Sequence, residues 1–88
     1  MAIMEVNDAG LLERIHIDPR IMDGMPCIRG TRIPVRVILD YLAEGEMPDR
    51  ILTQYPQLTM EDLRAAIAFG AYAVARWYSS GIDVHGTR

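Results

Sequence analysis

Apolar and polar positions change their period along this chain, and the changes mark its elements. Residues 1–13 show no period and read as a flexible N-terminal arm, with Leu11 and Leu12 as its one candidate for a short ordered piece. Alternation then begins at Ile15-His16-Ile17, pauses at Asp18-Pro19 and gives way to Ile21-Met22-Asp23-Gly24-Met25-Pro26-Cys27-Ile28. Asp-Gly between apolar residues is a hairpin-turn signal, because both residues tolerate positive φ. Pro26 lacks an N–H and restricts its strand to an edge. Residues 14–29 therefore read as a small hairpin or a pair of short strands.

A helical period follows. Pro34 suits a first helical turn, Val35, Ile38, Leu39 and Leu42 share a face, and Gly45 supplies a left-handed stop, which predicts a helix over 34–44. A second helix spans 48–54, opened by Pro48, supported by Glu46 and Arg50 four apart, and ended by Tyr55-Pro56. The third has the clearest start. Thr59 caps it, Asp62 completes a capping-box variant, and Leu58 and Leu63 are spaced as a hydrophobic staple. It runs over 59–78, and 79–88 form a tail. The expected fold is mainly α, one domain over 14–78, with a short N-terminal β-hairpin followed by a three-helix bundle. The tight Tyr55-Pro56-Gln57-Leu58 turn fits a helix-turn-helix arrangement. That motif reads bases with the start of its second helix, here Met60, Glu61 and Asp62, and two carboxylates there argue against ordinary major-groove reading.

Between Arg64 and Arg76 the third helix carries no charge, so it is apolar on every side instead of showing a stripe. It is too short to cross a bilayer, which takes about 20 apolar residues. One face, through Leu63, Ile67, Gly70 and Val74, is expected to pack on the preceding helices. The other, through Ala68, Phe69, Tyr72 and Ala75, has too little chain left to cover it. Small residues at Ala66 and Gly70 would let another helix approach closely. The competing reading is that the hairpin folds back over the second face. The preferred one is an interface with a second copy or a partner protein, in which Phe69, Tyr72 and Trp77 are the anchors.

Composition narrows the chemistry. With 88 residues there is room for one domain, and half of them are hydrophobic, enough for a core. The net charge is −3 and every basic residue is arginine. A chain of that charge binds DNA poorly unless its arginines cluster. Arg29, Arg32 and Arg36 are the candidate cluster and hence the candidate DNA contacts; their alternative is a set of solvated or internally paired side chains. Cys27 is the sole cysteine, so no disulfide forms within the chain, and two histidines with one thiol make no structural zinc site. Cys27 and His16 suggest a nucleophile and base, but the small chain and the apolar neighbour Ile28 favour a packed thiol. Glu61 and Asp62 answer the dipole of the third helix. The glycines stand singly at turns and caps. No catalytic residue, metal, cofactor, small-molecule substrate or membrane contact is expected, and the lone thiol with no secretory signal points to the cytoplasm.

With these residues in view, the chain resembles a known family. Asp18-Pro19 and the run Asp23-Gly24-Met25-Pro26-Cys27-Ile28-Arg29-Gly30-Thr31-Arg32-Ile33-Pro34-Val35 are similar to the bacterial domain-of-unknown-function 433 family. The likeness continues through Gly45, Ile51-Leu52, Tyr55-Pro56-Gln57-Leu58-Thr59, Asp62-Leu63 and Ala65-Ala66, covering roughly residues 14–75. It implies a homeodomain-like helical fold preceded by short strands, commonly dimeric, and an antitoxin role of the VapB type beside a PIN-like ribonuclease toxin. Met47 stands where many relatives have a serine-like cap. The expectation is an antitoxin-like protein that dimerises, binds a ribonuclease toxin through apolar surface and binds its own operator DNA. A stand-alone DNA-binding regulator and a structural homodimer are the rivals.

Overall fold

The computed structural model describes residues 8–79; residues 1–7 of the expected arm and 80–88 of the expected tail lie outside the described residues, whereas residues 8–13 of that arm are not a flexible segment but part of a 3-10 helix whose Leu11 is buried in the core. A 3-10 helix over Asp8–Arg14 opens the described chain, interrupted by Gly10, whose φ of 71° is left-handed. It leads into β1 (Ile15–His16), which pairs antiparallel with β2 (Cys27–Ile28), Ile15 opposite Ile28 and His16 opposite Cys27.

The hairpin is real, but Asp23-Gly24 is not its two-residue turn. Residues 17–26 join the strands in two tight turns. In the first, the Asp18 carboxylate accepts the Arg20 N–H at 2.9 Å while Ile21 N–H donates to Asp18 C=O at 2.8 Å. In the second, Met22–Gly24 runs through φ values of 51°, 57° and 83°. The tolerance of Asp and Gly for positive φ is used in this second turn, and the carboxylate of Asp18 bends the chain before it.

β2 also gains a second neighbour. Gly30, at φ 81°, turns the chain so that Ile28 N–H donates to Ile33 C=O at 3.0 Å and Val35 N–H to Pro26 C=O at 2.8 Å. Thr31 holds the turn, its hydroxyl donating to Ile28 C=O at 2.7 Å and accepting Ile33 N–H at 3.0 Å. Residues 26–35 thus form one tied loop that delivers the chain to its first helix.

Three α-helices complete a mainly helical fold: α1 (Val35–Ala43), α2 (Pro48–Gln54) and α3 (Met60–Ser79). Pro34 caps α1 from outside, Gly45 ends that segment at φ 93°, and Pro48 opens α2. The capping box of α3 is formed in both directions: Asp62 N–H donates to the Thr59 hydroxyl at 3.2 Å, and Thr59 N–H to the Asp62 carboxylate at 2.9 Å. The core lies where the hairpin, α1 and α2 meet the first half of α3, with Ile28, Ile38, Ile51 and Leu63 almost wholly enclosed.

Candidate interaction surface on the third helix

The two halves of α3 have different surroundings. In the first half Ala65 and Ala66 are fully buried and Leu63 nearly so. The 3-10 helix packs along this half and contributes Leu11 to the same core. Ala68, expected on a partner-facing surface, is therefore buried within its own chain. Ile67 and Val74, expected to face the preceding helices, point outward instead and are 52% and 62% exposed. A helix without a polar stripe carries no mark of which side faces inward, so long-range packing decides it. The small residues serve α1: a Cβ placed on Gly70 would stand 3.3 Å from Leu39 Cδ1.

An ion pair that the sequence did not mark anchors the 3-10 helix. Arg14 donates from Nη1 to Asp62 Oδ1 at 3.1 Å, so the buried carboxylate that closes the capping box also ties α3 to the N-terminal segment. The capping-box spacing marked Asp62, but nothing local marked Arg14 as its partner. Asp62 is thus turned inward, and of the two carboxylates at the start of α3 only Glu61 is exposed.

In the second half, Ala71 through Arg76 are all exposed, and so is Tyr78. Phe69 is half-buried, its ring centroid 6.0 Å from that of Tyr72, and Arg76 places its guanidinium 5.6 Å from the Tyr72 ring centre. Trp77 is half-buried. Shallow grooves flank the helix. One of about 280 Å³ is lined by Leu12, Ile15, Ile17, Phe69 and Tyr72, and one of about 330 Å³ by Leu11, Arg64, Ile67, Ala68 and Ala71. Ala75 lines a third depression with Tyr72, Arg76 and Ser79. Of the residues expected at the interface, Phe69 and Tyr72 line one groove and Tyr72 and Ala75 another, while Trp77, the third expected anchor, is half-buried.

The arginine cluster is largely committed internally. Arg29 donates from Nε to Glu13 C=O at 2.7 Å and from Nη2 to Ile15 C=O at 3.4 Å, clamping the 3-10 helix to the hairpin. Arg36 pairs with Asp40 one turn along α1, at 3.4 Å. Arg32 is exposed and makes no ion pair among the described residues. A polar cleft of about 470 Å³ is lined by Gly10, Glu13, Arg14, Arg29 and Asp62, so its guanidiniums stand beside carboxylates.

Cys27 and His16 do face each other across the strands. The thiol is fully buried and donates to Met25 C=O at 3.3 Å; burial raises its pKa, with the Arg32 charge opposing more weakly. A protonated, enclosed thiol is a packing group, since nucleophilic attack needs an accessible thiolate. Among the described residues no three His, Cys, Asp or Glu side chains gather as metal ligands, and no helix is long and apolar enough to cross a membrane.

Known proteins resemble this chain over most of these elements. A family model described as "Protein of unknown function (DUF433)" matches residues 15–70. The uncharacterized protein y4eO of Sinorhizobium fredii (strain NBRC 101917 / NGR234) is 36% identical over 58 residues, which is 66% of this chain and 26% of that protein. The chain therefore spans about a quarter of that relative's length. A crystal structure of a DUF433 member protein from Anabaena variabilis ATCC 29413 superimposes with a TM-score of 0.67 at 32% identity, covering 85% of this chain and 81% of that one.

Proposed function

The chain belongs to the DUF433 family, and from that premise we propose that it is an antitoxin-like, non-enzymatic protein of the cytoplasm. In this reading it binds a PIN-like ribonuclease toxin through the second half of α3. The observation that carries it is the surface left open there: Val74 and Tyr78, one turn apart on the same face, remain 62% and 77% exposed, whereas Leu63, Ala65, Ala66 and Ala68 of the first half are buried. Contiguous apolar surface on a small soluble domain commonly marks a protein contact. A second copy of the chain is the rival occupant of that face.

Operator binding by a homeodomain-like arrangement is the secondary part of the reading. Arg29 and Arg36 have internal partners, which leaves Arg32 as the arginine of the three to meet phosphate. The test is co-purification of the full chain with the product of the neighbouring gene, repeated with Val74→Glu and Tyr78→Glu. Both positions are so exposed that folding should be unchanged by circular dichroism. Retention of the wild type and loss of both variants is expected; equal retention of all three would sink the proposed surface.

A further inference from the structure

The 3-10 helix is the wall between two apolar grooves on α3. Leu11 borders one of them, beside Ala68 and Ala71, and Leu12 borders the other, beside Phe69 and Tyr72. Ala68 and Tyr72 are neighbours one turn apart on α3, yet each lies in a different groove. Lifting Leu11 and Leu12 away would join the two grooves into one trough. The wall is also lightly held. Of residues 10–14 only Leu11 is buried, and the left-handed Gly10 interrupts the helix. Its polar ties act at one end, where Arg29 bonds the Glu13 carbonyl and Arg14, 44% exposed, meets Asp62. The 3-10 form itself has poorer hydrogen-bond geometry than an α-helix. The family match, over residues 15–70, leaves this segment out.

We infer that residues 10–14 are an autoinhibitory strap. Closed, they divide and partly fill the trough on α3; open, they yield it to an apolar segment of a partner protein. The inference rests on the reading of α3 as a partner-binding surface and extends that surface beneath the strap. The trough already shows what it accepts, since Leu11, 7% exposed, is seated there beside the buried Ala68. A partner that needs the open form binds with an affinity lowered by the fraction of chains that are open. Loosening the strap without touching α3 therefore tightens that binding. A segment that merely completes the fold, or that itself contacts the partner, would act in the opposite direction when loosened.

The test titrates the full chain with the product of the neighbouring gene, as wild type, Leu11→Ala and Arg14→Ala. Hydrogen exchange of each form alone reports whether the core of α1, α2 and α3 is intact. Leu11→Ala should tighten binding about tenfold, by removing the strap's buried side chain. Arg14→Ala should tighten it about threefold, the scale of a partly exposed ion pair. Where Leu11→Ala disturbs core exchange, Arg14→Ala decides. Unchanged or weaker binding with an intact core would make the strap a fixed part of the fold and overturn the inference. The dye anilinonaphthalene sulfonate, which reports exposed apolar surface, separates the two levels. Both variants should take up more of it than wild type. If the gene product binds none of the three forms, the reading of α3 as its contact falls. Equal dye uptake by all three would then remove the strap as well.

Discussion

Arg14 and Asp62 lie 48 positions apart in sequence and meet at 3.1 Å, joining the N-terminal 3-10 helix to the first turn of α3. Asp62 is the more important member. It is buried, accepts Thr59 N–H as well as Arg14, and completes the capping box. Asp62→Ala removes an N-terminal cap and strands two donors, an expected loss of about 2–3 kcal/mol. Thr59→Ala should cost about 1 kcal/mol. Arg14 keeps 44% of its side chain in solvent, so Arg14→Ala should cost under about 1 kcal/mol. Urea unfolding of the three variants checks the order, and an Arg14→Ala loss larger than that of Asp62→Ala would contradict it.

That tie also explains what could and could not be read from the chain. Helix ends were legible because their causes are local: Pro48 and Tyr55-Pro56 frame α2, Thr59 and Asp62 open α3, and Gly45 ends the α1 segment. The mainly helical fold behind a short hairpin follows from those signals. The orientation of α3 was not legible, since a run without charge offers no polar side to turn outward. Ala68 is covered because the 3-10 helix lands on it, and residues 8–14 show no helical period from which to foresee that. Arg29 read as a surface cation for the same reason: its acceptors, the Glu13 and Ile15 carbonyls, come from backbone across the hairpin.

Gly70 offers a test of the α1–α3 contact. Alanine is favoured over glycine inside a helix by about 1 kcal/mol. Against this, its Cβ would sit 3.3 Å from Leu39 Cδ1, the mobile end of a side chain that can shift by a few tenths of an ångström. The helix preference should win, so Gly70→Ala is expected to gain about 0.5 kcal/mol. Gly70→Val adds branching into the same gap and should lose about 1–2 kcal/mol. If both variants are destabilised alike, α1 and α3 approach more closely than the Leu39 contact allows.

The arginines separate by role. Arg29→Ala frees two backbone carbonyls and should lower stability by about 1 kcal/mol; Arg29→Lys should recover little, because one ammonium cannot reproduce the fork. Arg32→Ala should leave stability within about 0.5 kcal/mol. If the chain binds its operator, Arg32→Ala should instead reduce the salt dependence by about one phosphate contact. Operator binding that depends on Arg29 and is indifferent to Arg32, at unchanged melting temperature, would reverse this assignment.

Cys27 should be inert while the chain is folded. Burial raises its pKa, so the folded state holds the thiol proton to higher pH than the unfolded state does. The sign follows directly: the contribution is fully present below the pKa of the unfolded thiol and declines as pH rises toward that of the folded one. A disulfide reagent should therefore label the native chain far more slowly than the urea-unfolded chain, and stability should fall on going from neutral to alkaline pH. Rapid native labelling at neutral pH would mean that the thiol is accessible.

Met22 tests the loop between the strands. It holds φ at 51°, followed by Asp23 at 57° and Gly24 at 83°, and Gly24 and Met25 close the turn through N–H bonds of 3.0 Å to Ile21 and Met22 carbonyls. Left-handed backbone costs an ordinary residue roughly 1 kcal/mol, less for asparagine, whose short side chain bonds locally. The Met22 side chain is 41% exposed, so little packing is lost by replacing it. Met22→Asn should stabilise by about 0.5 kcal/mol, while β-branched Met22→Val should destabilise by more than about 1 kcal/mol. The contrast between the two, read from thermal unfolding, isolates backbone strain from hydrophobicity, since valine is the more apolar replacement yet is expected to be the worse one. Equal midpoints for the two variants would mean that residue 22 does not sit in the left-handed region in solution.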